Sequence, residues 1–132
     1  MQMKRLAIVA VLLAMLTVSA VATAAGTLSG TYQTKIGAKP LGGRLKGTWT
    51  IKFSHGNYKV SDNGAAVVHG KYTISHGKVT LAHESGPAAC PGSGTYTFKL
   101  SGKKLTFTRV SDGSAACTGR ATVLAGHFTK VG

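Results

Sequence analysis

The chain has 132 residues, enough for one domain of ordinary size with a single core. Sixteen lysines and arginines face three acids, for a formal net charge of +13. Such a balance favours anionic partners without naming one. So few carboxylates also argue against hydrolytic mechanisms that need two of them at a fixed separation.

At the N-terminus, Lys4 and Arg5 precede an apolar run from Leu6 to Leu16, and small residues follow through Ser19, Ala20, Ala22, Ala24 and Ala25. This order is that of a helical secretion signal peptide over residues 1–25. The run is 11 residues long, against the roughly 20 that a membrane span needs. Cleavage is expected between Ala24 and Gly26, which leaves residues 26–132 as one domain without Lys4 and Arg5, so the charge falls from +13 to +11. No later apolar run offers a transmembrane anchor, and no cysteine follows the signal to carry lipid. A secreted, periplasmic or cell-envelope location is expected.

Beyond the signal, one plan repeats. Gly47-Thr48-Trp49-Thr50-Ile51, Gly70-Lys71-Tyr72-Thr73-Ile74 and Gly94-Thr95-Tyr96-Thr97-Phe98 each run glycine, polar, aromatic, threonine, apolar, and Gly30-Thr31-Tyr32 opens a looser copy. The three full copies continue into a turn (Ser54-His55-Gly56-Asn57, Ser75-His76-Gly77, Ser101-Gly102-Lys103) and a second alternating run. The period of two puts Trp49, Ile51 and Phe53 on one face and Thr48, Thr50 and Lys52 on the other. It likewise groups Tyr72 with Ile74, Val79 with Leu81, Tyr96 with Phe98 and Leu100, and Leu105 with Phe107. Eight strands are predicted, at residues 28–36, 47–53, 57–62, 66–74, 78–84, 94–100, 104–110 and 117–124, the last extending toward Val131. No helical periodicity is found after the signal. Consecutive hairpins with one apolar face predict an all-β, antiparallel up-and-down barrel, whose closure removes exposed edges. A two-sheet sandwich, which needs longer crossing connections, is the alternative.

In such a meander the connections alternate between two ends. The turns at His55, His76 and Gly102 share one end. The connections at 37–46, 63–65, 85–93 and 111–116 share the other, together with Asp62, Glu84 and Asp112. Cys90 and Cys117 fall at that second end, and in an exported domain a disulfide between them is expected. Its 27-residue separation corresponds to about 3 to 4 kcal/mol in the chain-entropy model. Free thiols and a metal pair are the alternatives, with no CxxC or clustered histidine to favour them.

This layout resembles that of small bacterial lipocalin-like domains of the calycin type. Cys90, Gly94, Tyr96, Leu105, Asp112, Cys117 and Arg120 carry most of the resemblance. It implies a barrel that holds a small apolar ligand, entered from the end with the longer connections. The family's opening Gly-x-Trp is replaced on strand one by Gly30-Thr31-Tyr32, whereas Gly47-Thr48-Trp49 lies on strand two.

Strand parity directs Trp49, His83 and Arg109 inward near that entrance. A buried Arg109 would need a partner or an anionic ligand; otherwise it snorkels to water or bonds loop carbonyls. Arg120 is assigned a structural contact to Asp112 or a loop carbonyl. His55 and His76 are expected to be solvated turn residues. Gly92-Ser93-Gly94 lacks the surroundings of a nucleophile elbow, and no phosphate loop or dinucleotide fingerprint occurs. No enzyme activity, cofactor or metal is therefore expected. The lysines are spread over several outward faces and the aromatics point inward, which disfavours nucleic acid. Two functions remain: a barrel for an apolar or amphipathic molecule, anionic ones included, or a module with a packed interior whose basic exterior attaches to anionic cell-envelope polymers. A cavity of at least ~300 Å³ would favour the first.

Overall fold

The computed structural model describes residues 27–132, so the expected signal peptide lies outside the described residues. Eight strands form a closed antiparallel barrel in sequence order: β1 (Gly30–Ile36), β2 (Gly47–Ser54), β3 (Asn57–Asp62), β4 (Ala65–Ser75), β5 (Lys78–Ser85), β6 (Gly94–Ser101), β7 (Lys104–Ser111) and β8 (Phe128–Lys130). The hydrophobic period specified this arrangement because a slip of one residue would turn every core side chain to solvent. Trp49, Ile51, Phe53, Val79, Leu81, Tyr96, Leu105 and Phe107 are all buried.

Three two-residue turns close one end. In two of them both residues have positive φ: His55 (49°) with Gly56 (79°), and His76 (52°) with Gly77 (72°). That backbone twist matches the twist of the paired strands, and both histidines are exposed at the turn tips. Below the turns Phe53 packs edge-on to Tyr72 at 5.2 Å and against Tyr32, Tyr58 and Phe107 at 6.2 to 6.4 Å. The segment before β1 plugs this end, with Leu28 buried and its carbonyl accepting from the Tyr72 hydroxyl at 2.7 Å.

The last strand differs from expectation. Residues 117–124 are not a strand: Thr118–Leu124 is a short helix, α1, preceded by a 3-10 turn at Ala115–Cys117. Arg120, Val123 and Leu124 stand at i, i+3 and i+4, a helical spacing, and Val123 and Leu124 are buried. Ser114 caps the 3-10 turn through its side chain. The closing strand is instead Phe128–Lys130, which meets β7 only at Lys104 and Leu105 and β1 only at Tyr32 and Gln33. The barrel is thus sealed by strands at the short-turn end, while α1 lies beside β7 toward the other.

Candidate functional site

At the end with the long connections, α1 carries Arg120 into a buried set of ionised groups. Its Nε and Nη2 donate to the two oxygens of Asp112 at 2.9 and 2.8 Å, and Nη2 also donates to the Gly92 carbonyl at 2.9 Å. This bidentate geometry is what a guanidinium offers and an ammonium does not. Nη1 stands 3.2 Å from Glu84 Oε2 as an ion pair but has no hydrogen-bond partner. The side chains of Arg120, Glu84 and Asp112 are 7%, 3% and 1% exposed.

Two tyrosines complete the set: the Tyr58 hydroxyl donates to Glu84 and the Tyr96 hydroxyl to Asp112. Burial is the largest influence on both phenols, and with the neighbouring carboxylates it pushes them well above their ordinary value. Burial also works against ionisation of Asp112. Hydrogen bonds from Arg120 and Tyr96, with the charges of Arg120 and Arg109, outweigh it and hold that carboxyl below its ordinary value. Burial opposes the Arg120 charge as well, yet the bonds to Asp112 and the charges of Glu84 and Asp112 raise its basicity further.

Local sequence makes room for this set. A Cβ on Gly94 would stand 2.7 Å from Asp112 Oδ2 and 2.8 Å from Arg120 Nη2. One on Gly70 would meet the Tyr58 ring at 2.5 Å. The glycines that open two of the repeated segments therefore create the space in which the ion pairs and a phenol lie. The Cys90–Cys117 disulfide ties the β5–β6 connection to the turn before α1, and the Cys90 amide donates to Glu84 Oε1 at 2.8 Å. Asp112 lies near both sulfurs, but their bond to each other leaves no thiolate for a metal.

Trp49 faces inward at 5% exposure, and its ring nitrogen donates to the Leu45 carbonyl at 2.7 Å. It lines a cavity of about 100 Å³ with Glu84 and Arg120 in the wall. His83 and Arg109 do not line it. His83 is exposed because it adopts positive φ (53°) where the β4–β5 register shifts between His69 and Lys71. This bulge breaks the alternation and turns Glu84 inward in its place. Arg109 is paired with Tyr96 across β6–β7, yet it is exposed. The β6–β7 register shifts between Thr95 and Tyr96, at this very pair, and the alternation of β7 is broken there. Strand parity pointed to both residues, and each fails where the sheet becomes irregular.

The contact of Arg120 with Asp112 and a loop carbonyl was legible in the sequence, whereas its ion pair with Glu84 was not. All three acids occupy inward positions or loop ends at this end of the barrel, and the Asp62 Oδ1 is buried without a hydrogen-bond partner. No known protein family, curated protein or solved structure matches the chain.

Proposed function

We propose that this chain is an exported module whose basic barrel exterior holds anionic polymers of the cell envelope. One observation carries the reading: thirteen of the fourteen basic residues in 27–132 are exposed, and none of the three acids is. Arg120 is the fourteenth, and it is enclosed with Glu84 and Asp112. Pairing with Arg120 thus encloses Glu84 and Asp112, and among the described residues the lysine, arginine and acidic side chains in the exposed class are all cationic.

The register sharpens this. On the outer face Lys52 of β2 stands directly opposite Lys59 of β3, Lys59 opposite His69 of β4, and Lys71 lies two residues beyond His69. Like charges directly opposed across a sheet are destabilising, so a polyanion laid across these strands would relieve a repulsion that nothing on the protein relieves. An interior cavity of about 100 Å³ is well short of the ~300 Å³ at which pockets for drug-sized molecules begin. That supports surface binding over a whole ligand held in the barrel.

Poly(glycerol phosphate) is a suitable probe, with neutral dextran as control. The protein should bind it at an ionic strength near 0.01 M, where the Debye length is roughly 30 Å, and release it near 1 M, where that length is roughly 3 Å. The double variant Lys52→Glu/Lys59→Glu should lose at least about tenfold in affinity, and more than Lys99→Glu/Lys104→Glu, which has the same net charge. Absence of binding at low salt, or equal retention by dextran, would defeat the proposal.

A further inference from the structure

The bulge that expels His83 from the barrel interior also gives it neighbours outside. In the β4–β5 ladder His69 stands opposite Ser85 and Lys71 opposite Ala82, so His83 falls in the interval between these pairs. Both histidines are exposed. His69 is itself opposite Lys59 of β3, which is opposite Lys52 of β2. The outer face thus carries one band of nitrogen bases from β2 to β5, made of Lys52, Lys59, His69, Lys71 and His83. With neighbouring strands about 4.8 Å apart, the band is about 14 Å wide. An extended polyanion covers that width and a single phosphate does not.

Among the described residues no exposed carboxylate shares this band. On β5 Glu84 is turned inward to Arg120. On β3 Asp62 ends the strand opposite Trp49 and Ala65, with its Oδ1 buried. The β5–β6 connection at 86–93, which follows Ser85, contains no charged residue. The neighbours of His69 are therefore Lys59, Lys71, His83 and Ser85, and those of His83 across the ladder are His69 and Lys71. The remaining histidines lie elsewhere, His55 and His76 at the turn tips and His127 before β8.

Imidazole is the side chain whose charge changes between pH 5 and 8. Protonation of the pair adds two charges to the three ammonium groups of the band. An anion held beside an imidazole favours its charged form, so polymer binding and proton uptake reinforce each other, and the coupling is reciprocal. On the reading that the exterior holds anionic polymers, we propose that His69 and His83 extend the binding surface from β2 and β3 onto β4 and β5 and tighten it on acidification. The protein then grips the envelope in acid and loosens as pH rises.

Poly(glycerol phosphate) stays anionic across this range, so its binding isolates the protons of the protein. At an ionic strength near 0.1 M, where the Debye length is roughly 10 Å, affinity should rise at least about tenfold from about pH 8 to about pH 5. His69→Gln/His83→Asn, in which asparagine tolerates the positive φ of His83, should flatten that profile and bind at least about tenfold more weakly than the parent at the acid end. His55→Asn/His76→Asn removes as many imidazoles from the turn tips and should keep the rise. His69→Lys places a fixed charge at the same point and should raise affinity at the alkaline end while shrinking the response. Binding near pH 8 with no gain in acid, or a gain that survives in His69→Gln/His83→Asn, would overturn the pH response and leave the polymer reading standing. Absence of binding at every pH, even in low salt, would overturn both.

Discussion

At the end of the barrel closed by two-residue turns, Phe53 lies among Tyr32, Tyr58, Tyr72 and Phe107, and Phe107 continues the contact to Tyr96 and Phe128. At the other end a guanidinium, two carboxylates and two phenol hydroxyls occupy the interior, clamped by a disulfide. The first arrangement is held by burial of apolar area, which is non-directional and tolerant of small shifts. The second depends on geometry, since the cost of desolvating each ion is offset only while every partner stays in place. Tyr58 and Tyr96 join the two, with their rings in the aromatic set and their hydroxyls in the charged one.

The largest test of this contrast is a matched pair of truncations. Phe53→Ala should cost about 3 to 5 kcal/mol through lost contacts and a cavity. Arg120→Ala should cost about as much, 3 to 5 kcal/mol, for a different reason: two buried carboxylates lose their counter-charge. Urea denaturation at neutral pH measures both. What separates them is acidification, because protonating Asp112 removes a charge that Arg120→Ala exposes. The Arg120→Ala deficit should therefore shrink toward pH 3 while that of Phe53→Ala stays constant. A deficit of Arg120→Ala that does not change with pH would place its effect in packing alone.

The same contrast explains what could be read from the residues in advance. Side chains in regular alternation were assigned correctly: Trp49, Ile51 and Phe53 on β2, Tyr96 on β6, Leu105 and Phe107 on β7 all face inward. The shared end of Cys90 and Cys117 followed from topology, and their bridge is present. Errors gathered where backbone geometry departs from a period of two. Parity directs His83 inward because nothing in a lone His-Glu dipeptide announces a left-handed residue, and the bulge hands its inward position to Glu84. The segment 117–124 reads as a strand because two turns of helix present few periods, although Arg120, Val123 and Leu124 carry the helical spacing. Gly70 and Gly94 read as strand openers, and only their surroundings reveal that a side chain there would collide with Tyr58 or with the Asp112–Arg120 pair.

A second test uses pH across the whole range. Asp112 is held below its ordinary carboxylate value, so its contribution is present above the unfolded pKa of about 3.9 and is lost as pH falls through the lower folded value. Tyr58 and Tyr96 are raised, so folding favours their neutral forms, and stability declines as pH climbs above the unfolded tyrosine value of about 10. Denaturation midpoints should form a plateau between those limits and fall on both sides. Tyr58→Phe and Tyr96→Phe lower the plateau by removing a bond to a carboxylate, worth about 1.5 to 3 kcal/mol, and each should flatten the alkaline decline. An alkaline limb identical in wild type and both variants would show that these phenols do not carry it.

The smallest effect comes from the exterior, where folding and binding pull in opposite directions. Replacing Lys52 by glutamate puts opposite charges across β2 and β3 in place of Lys52 and Lys59, a change favourable by roughly 0.2 to 1 kcal/mol for an exposed cross-strand pair. Thermal stability at low salt should therefore rise slightly, and the gain should fade as salt screens the pair. Affinity for poly(glycerol phosphate) should fall in the same variant. A surface lysine retained merely for solubility would leave that affinity unchanged. Loss of binding together with a gain in stability is the signature of a charge kept against the interest of the fold, and the ratio of the two effects measures how much of the exterior serves the partner rather than the barrel.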